Sequence, residues 1–258
     1  MEKLTIVKVG GNVINDPSAL EGFLTDFAAL KGNKILVHGG GKRATKLAKD
    51  LGLQATMING RRVTDMATLD IVVMVYAGLL NKNITASLQK LNCNALGLSG
   101  ADGNSIQAHK RKVTDVDYGF AGDVDGINAE NIATFLKGQM TPVFCAITHD
   151  TQGQLLNTNA DTIASTIAVG MSALYEVSLI YTFEKNGVLR SIEDENSVIT
   201  EINLNTYRQL KKEGIIADGM LPKMENCFDA LKKGVTEVLV GSPAIIKNKA
   251  QLFTTLKL

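Results

Sequence analysis

Gly39-Gly40-Gly41 follows the apolar run Ile35-Leu36-Val37-His38, and a lysine lies inside a second run of the same kind, Thr5-Ile6-Val7-Lys8-Val9-Gly10-Gly11. Glycines lack a Cβ, so their backbone N–H groups approach a ligand closely, and at a helix start those groups point at an anion. Lys8, between Val7 and Val9, is costly to bury unless its ammonium reaches water or an anion. Each glycine group could instead be a tight turn that closes a βα unit. Two of them, with a lysine near the carboxyl end of a strand, where open α/β sheets bind ligands, suggest a site for a strongly anionic reacting group.

The elements that must hold these residues follow from periodicity. Ile35 to His38 reads as a strand buried on both faces, and Lys42 to Leu51 as a helix stopped by Gly52. Asp16-Pro17 is an N-cap with proline at the first helical position, opening a helix to Leu30 with a core stripe of Leu20, Phe23, Leu24, Phe27 and Leu30. Asn59-Gly60 between Met57-Ile58 and Val63 signals a hairpin carrying Arg61-Arg62. Asp65 caps a helix to Leu91 whose Ile71–Tyr76 run is apolar nearly all round, which calls for burial, in part against a second copy of the chain.

Further strands are expected at Asn94–Ser99, Pro142–Thr148, Leu174–Thr182 and Glu237–Val240, with Leu252–Leu258 closing the sheet. Small hairpins are expected within 104–127, and helices at 128–137, 161–170, 204–213 and 220–233, with 150–159 a polar turn. Alternating strands and helices make the class α/β with a largely parallel sheet. No linker is visible, so the expectation is one domain with two lobes parting near residue 175.

Composition narrows the function classes. Of 258 residues, 45% are hydrophobic and 21% charged, and the net charge of +1 gives no reason to expect nucleic acid. The apolar stretch Ile71–Leu80 is too short to span a bilayer, and Lys8 interrupts the only apolar run near the N-terminus, against a signal peptide. Cys93, Cys145 and Cys227 are odd in number and outside any CxxC spacing, as reduced core residues of a cytoplasmic protein would be. With His38, His109 and His149 scattered, no transition-metal site is expected.

Three phosphate motifs can be tested. A Walker A loop fails, because Leu36 stands where its first glycine belongs and Arg43 where Ser/Thr belongs. A dinucleotide fingerprint fits Gly39-x-Gly41-x-x-Ala44 but leaves Lys8 and Gly10-Gly11 unexplained. The protein-kinase motifs HRD and DFG are absent.

Taken together, Lys8-Val9-Gly10-Gly11, His38–Gly41, Asn59-Gly60-Arg61-Arg62-Val63-Thr64, Asn157-Thr158-Asn159-Ala160-Asp161 and Ile215-Ile216-Ala217-Asp218-Gly219-Met220 with Lys223 resemble the amino-acid kinase family over nearly the whole chain. The arginine hairpin and the double-Asn segment resemble its acylglutamate kinases rather than its carbamate, aspartate or uridylate kinases. The resemblance implies a three-layer sandwich around a largely parallel open sheet, with residues 1–175 binding an N-acyl-L-glutamate and 176–258 binding ATP. It implies transfer of the γ-phosphoryl of ATP to the side-chain carboxylate of N-acetyl- or N-succinyl-L-glutamate in arginine biosynthesis. Mg²⁺ would arrive on ATP, with no protein-held metal.

The same resemblance assigns roles. Lys8 and Lys223 would flank the moving phosphoryl, Asp161 would orient both lysines, and Gly11 with Gly40 or Gly41 would cover the phosphoryl oxygens. Arg62 would grip the substrate α-carboxylate, and Asn157 and Asn159 the acylamino group and carboxylate. Gly10, Gly187 and Ile216 would join Lys8, Gly11 and Lys223 at the nucleotide. Each residue has a plainer reading: Asp161 a helix-start acid, Arg62 a solvated hairpin charge (for which Arg61 is the better candidate), the Asn pair an Asx turn, and Lys223 an exposed helix lysine. Thr182-Phe183-Glu184-Lys185-Asn186-Gly187 departs from the Ser/Thr-Asp-Val-x-Gly segment of many relatives. The chain begins almost at its first strand, without the N-terminal helix of arginine-inhibited hexameric relatives, so the expectation is an arginine-insensitive homodimer. The alternatives are an amino-acid kinase for another carboxylate or carbamate, and a non-catalytic sensor of amino acid or nucleotide.

Overall fold

The computed structural model describes residues 1–58, 60–217, 220–247 and 252–258; Asn59, Asp218 and Gly219, which belong to the motifs above, lie outside the described residues. The chain runs β1 (Lys3–Val9), α1 (Gly11–Asn15), α2 (Pro17–Ala29), β2 (Asn33–His38), α3 (Gly41–Asp50), β3 (Met57–Ile58), β4 (Arg61–Arg62), α4 (Met66–Val73), a π-helical segment (Met74–Leu80), α5 (Asn81–Lys90) and β5 (Ala95–Leu98). It continues with β6 (Ile106–Lys110), β7 (Gly122–Ile127), α6 (Ala129–Lys137), β8 (Thr141–Cys145), β9 (Ile147–His149), β10 (Leu155–Asn157) and α7 (Ala160–Met171). Then come β11 (Glu176–Thr182), β12 (Glu201–Ile202), α8 (Leu204–Lys212), α9 (Met220–Lys232), β13 (Glu237–Gly241) and β14 (Thr254–Leu256).

The main sheet has eight strands in the order β12-β14-β13-β11-β1-β2-β8-β5. From β13 to β5 every neighbouring pair is parallel, and β14 runs antiparallel to β13. Helices α6, α7 and α9 cover one face, while α2, α3 and the α4–α5 run form the other layer, giving the expected three-layer α/β sandwich. A smaller sheet, β10-β9-β6-β7, stands beside the carboxyl ends of the main strands. The two halves of the chain share one sheet, because β11 pairs with β1 along its length.

Both sheet and helices follow from the sequence pattern. β2 is buried from Lys34 to His38, as a parallel strand covered on both faces must be. In α2 the stripe buries Phe23, Leu24 and Phe27, and Asp16 caps it by accepting from the N–H groups of Ser18 and Ala19. The C-terminus of α2 is closed by buried Lys34, whose Nζ donates to the carbonyls of Phe27 (3.0 Å), Ala28 (2.6 Å) and Leu30 (2.8 Å). All three ammonium donors are used, on the negative end of a helix dipole.

Several expectations needed correction. The apolar run Pro142–Thr148 is two strands, β8 in the main sheet and β9 in the smaller one. Burial is continuous through both, so hydrophobicity alone could not show the change of sheet. The segment 150–159 contains β10, paired antiparallel with β9 across a turn in which the Asp150 carboxylate accepts from the N–H groups of Gln152 and Gln154. β14 lies inside the sheet, between β13 and the short β12 at the edge, rather than closing it. Helix 66–90 is long and apolar enough, by length and composition alone, to cross a membrane. Here its buried side chains, among them Val72, Val75, Ile84 and Leu88 with polar Asn81, pack on the sheet, α2 and α3, while Met66, Met74 and Leu79 stay exposed.

Candidate active site

The strand register brings the two glycine groups together. Val9 pairs with His38 on neighbouring parallel strands, so Gly10-Gly11 and Gly39-Gly40-Gly41 leave the same edge of the sheet side by side. α1 and α3 both start from a glycine N-cap with no side-chain cap, whereas α2, α4, α6, α7 and α8 are capped by Asp16, Asp65, Asn128, Asn159 and Asn203. The first-turn N–H groups of α3 are therefore left for a ligand.

Glycine is required at both lips by crowding. A Cβ on Gly10 would lie 2.8 Å from the Thr182 carbonyl oxygen, and one on Gly40 would lie 2.4 Å from Leu80 Cδ1 and 2.9 Å from Tyr76 Cδ1. The π-helical segment thus presses directly on the triple-glycine turn. Beneath it, buried His38 donates from Nδ1 to the Gly39 carbonyl (2.8 Å) and accepts at Nε2 from Asn81 Nδ2 (3.1 Å), which also donates to the Val143 carbonyl (2.9 Å). Those partners fix a neutral ring, and burial pushes the His38 pKa down to about 4.

Asp161 stands between two lysines. Lys8 Nζ lies 2.8 Å from its Oδ1 and Lys223 Nζ 3.7 Å from its Oδ2. Lys223 also lies 5.7 Å from the centre of the Phe183 ring. Burial works to raise the Asp161 pKa, but the two ammonium groups outweigh it and hold the carboxyl below its ordinary value. Asp161 is in the first turn of α7, and Asn159 is the N-cap, accepting from the N–H groups of Asp161 (2.7 Å) and Thr162 (3.1 Å). The Tyr181 hydroxyl donates to the Asp161 carbonyl at 3.0 Å, tying that turn to β11.

Two clefts are lined by chain neighbours of this group. The larger, about 540 Å³, is lined by Gly10, Gly11, Phe183, Gly187, Val188, Leu189, Ile192, Ile215, Ala217 and Met220 among others, an apolar slot with a glycine lip at one end. Gly187 is at the wall. Ile216 is not: its side chain is buried in the core, and its neighbours Ile215 and Ala217 face the cleft. Phe183 and Met220 stood inside quoted segments without a role of their own, and Ile192 was not singled out from sequence.

The smaller cleft, about 210 Å³, lies against Gly39–Gly41, with Arg61, Arg62, Tyr76, Arg111, Asn157, Thr158 and Asn159 on its walls. Arg62 is buried, with Nη2 donating to the Gly41 carbonyl (3.0 Å) and Thr45 Oγ1 (2.7 Å), while Arg61 is exposed. Asn157 Nδ2 donates to Thr64 Oγ1 at 3.0 Å. The arginine hairpin is braced by residues 118–120: Thr64 N–H donates to the Tyr118 carbonyl (3.0 Å) and Phe120 N–H to the Thr64 carbonyl (2.7 Å). Gly119, at φ +65°, leaves no room for a Cβ, which would fall 2.1 Å from the Thr64 carbonyl oxygen. That brace, and Arg111 and Tyr76, were not picked out from sequence. Among the described residues no cluster of His, Cys, Asp or Glu is arranged to hold a metal ion.

Comparison with known proteins identifies the family. The chain is 53% identical over 241 residues to the acetylglutamate kinase of Cytophaga hutchinsonii, covering 93% of this chain and 91% of that protein. It is 51% identical over 247 residues to the acetylglutamate kinase of Bacteroides thetaiotaomicron, covering 96% of each. Among solved structures, the fold matches N-acetylglutamate synthase of Neisseria gonorrhoeae with a TM-score of 0.81 at 18% identity, over 100% of this chain and 59% of that one. It also matches carbamate kinase of Giardia lamblia with a TM-score of 0.68 at 13% identity, over 99% and 98% of the two chains. The amino acid kinase family model matches residues 3–242, and the chain belongs to that family.

Proposed function

We propose that the chain is an acetylglutamate kinase, transferring the γ-phosphoryl of ATP to the side-chain carboxylate of an N-acyl-L-glutamate to give an acyl phosphate. One observation carries the reading: Lys8 and Lys223 share the carboxylate of Asp161, while Gly10 and Gly11, just beyond Lys8, line the apolar cleft and Asn159 and Ala160, just before Asp161, line the arginine-lined one. A glutamate side chain, with an unperturbed pKa near ~4.3, is already an ionised nucleophile at pH 7 and needs no general base. Its oxygen attacks the γ-phosphorus, the bond to the bridging oxygen breaks, and ADP leaves with that electron pair. Such transfer relies on positioning and on charge stabilisation of the moving phosphoryl.

Within this reading Lys8 and Lys223 neutralise the transferring group, Asp161 holds the two ammonium groups in place, and the N–H groups of Gly11 and Gly40 or Gly41 face the phosphoryl oxygens. Arg62 takes the substrate α-carboxylate, and Asn157 and Asn159 the acylamino side. The apolar cleft takes adenosine, and Mg²⁺ comes with ATP as part of the substrate. The position of Arg62 against the Gly41 turn favours an acylglutamate over the other acceptors of the family. A sensor would have no use for the paired lysines. The same proposal includes a two-fold dimer, arginine biosynthesis as the pathway, and the cytoplasm as location, where the free buried cysteines stay reduced.

The deciding experiment incubates purified protein with MgATP and hydroxylamine, trapping acyl phosphate from N-acetyl-L-glutamate, glutamate and aspartate in parallel. Hydroxamate from N-acetyl-L-glutamate is expected. Its absence there, with turnover of glutamate or aspartate, would reassign the acceptor; no turnover of any acceptor would support the sensor.

A further inference from the structure

Lys223 is the less tightly held of the two lysines. Its Nζ is 3.7 Å from Asp161 Oδ2, beyond hydrogen-bond length, whereas Lys8 Nζ is 2.8 Å from Oδ1 of the same carboxylate. The Lys223 side chain is also partly exposed. One long ion pair to a shared carboxylate does not fix a long, flexible stem against a reacting phosphoryl.

A second contact is present. Lys223 Nζ lies 5.7 Å from the centre of the Phe183 ring, within the ~6 Å over which an aromatic face attracts an ammonium group. Phe183 follows directly on β11, and its backbone is pinned on both sides. Its N–H donates to the carbonyl of Gly241, the last residue of β13, at 2.9 Å. Its neighbour Thr182 is tied to β1, with the hydroxyl donating to the Lys8 carbonyl (3.2 Å) and accepting from the Gly10 N–H (3.3 Å). A Cβ on Gly10 would come within 3.3 Å of Phe183 Cα, so this backbone lies against the first glycine lip. The ring therefore stands on the sheet, and Lys223 comes from α9 to meet it.

The plainer reading is that Phe183 is only one wall of the apolar cleft, with a loose lysine resting nearby. Charge favours more than that. Lys8, Lys223 and Asp161 together carry one net positive charge. A second carboxylate beside Lys223 would orient it too, but would cancel the charge that a moving phosphoryl needs. An aromatic face attracts the ammonium through its quadrupole and brings no charge of its own.

We propose that Phe183 is a positioning residue for Lys223, its ring holding the ammonium beside Asp161 while leaving the positive charge for the transferring phosphoryl. The inference rests on the acylglutamate kinase reading above, in which Lys223 neutralises that group, and adds a residue to it.

The test is steady-state kinetics with N-acetyl-L-glutamate and MgATP for the wild-type chain, Phe183→Leu, Phe183→Tyr, Phe183→Asp, and Phe183→Leu combined with Lys223→Ala. Leucine keeps an apolar wall and removes the π face. Phe183→Leu is expected to lower kcat by about 10-fold and to change KM for ATP by less than about 3-fold. Phe183→Tyr keeps the face and should stay within about 3-fold of the wild-type kcat. Phe183→Asp should lose at least as much kcat as Phe183→Leu. In the Lys223→Ala background, Phe183→Leu should cost less than about 2-fold more, because the ring has nothing left to hold. A raised KM for ATP at unchanged kcat would make Phe183 a cleft wall and overturn the inference. Equal losses of kcat with and without Lys223 would make the ring structural and overturn it too. Wild-type kcat in Phe183→Asp would overturn it as well, since the uncancelled charge would then be unnecessary. All three results leave the kinase reading standing, whereas no turnover by the wild-type chain would overturn that reading and this inference with it.

Discussion

Lys8 Nζ and Asp161 Oδ1 are 2.8 Å apart, a lysine from the central strand and an acid from the first turn of α7. The pair is what keeps a strand lysine from burying an uncompensated charge, and it leaves the ammonium at the glycine lips. Lys8→Ala and Lys223→Ala should each lower kcat by at least ~10²-fold with little change in fold, as loss of a preorganised charge partner does. Circular dichroism beside steady-state turnover checks both halves. Either variant turning over at near the wild-type rate would remove that lysine from the mechanism.

Arg62 offers a planar fork of which one nitrogen is committed to Gly41 and Thr45. Arg62→Lys should raise KM for the acylglutamate by ~10-fold or more and change KM for ATP far less, because a point charge replaces bidentate recognition. Equal effects on both KM values would show that the arginine braces the turn rather than grips substrate.

His38 makes stability depend on pH. Its pKa is about 4 in the folded chain against 6.5 for an ordinary histidine. Above pH 6.5 both states are neutral and nothing is lost. As pH falls from 6.5 towards 4 the unfolded chain binds a proton that the native one refuses, and stability drops by up to about 3 kcal/mol. Calorimetry from pH 7 to pH 4.5 should show Tm falling, with a shallower fall in His38→Gln. Equal slopes in the two proteins would rule His38 out as the cause.

Met66, Met74 and Leu79 leave apolar surface on the 66–90 helix after the core is packed. Light scattering at micromolar concentration should give about twice 27.6 kDa. A monomer would leave this face without a partner in solution. Repeating the measurement and the assay with arginine tests the insensitivity expected from sequence.

The legible parts of this chain were those where one residue type has one physical use. Asp16, Asp65 and Asn128 announced helix starts, Gly52, Gly214 and Gly234 their ends at positive φ, and Gly10 and Gly40 sit where any Cβ would collide. What stayed hidden was set by distant partners. Nothing local in Val73-Met74-Val75-Tyr76 distinguishes a π-helical segment from an α-helix; what fixes its position is the glycine turn it packs against. Nothing local in Lys110-Arg111-Lys112 marks Arg111 for the cleft, where it stands on the wall beside Ala121 and Asn157, which bridge each other. Ile216 is buried while its neighbours Ile215 and Ala217 line the cleft, because a motif locates a segment and not which side chains face inward.

The placement of β1 between β2 and β11 has a consequence for how the molecule assembles. β2 follows β1 directly after α1 and α2, whereas β11 reaches β1 only from the far half of the chain. Closing so long a loop is slow, since chain entropy is lost before the contact rewards it. Strands β1, β2, β8 and β5, with the arginine-lined cleft, can therefore dock first, and the apolar cleft waits for β11. Pulse-labelled hydrogen exchange during refolding should show amides of β2 and β8 protected before those of β11 and β13. Simultaneous protection would mean that the sheet condenses as one unit.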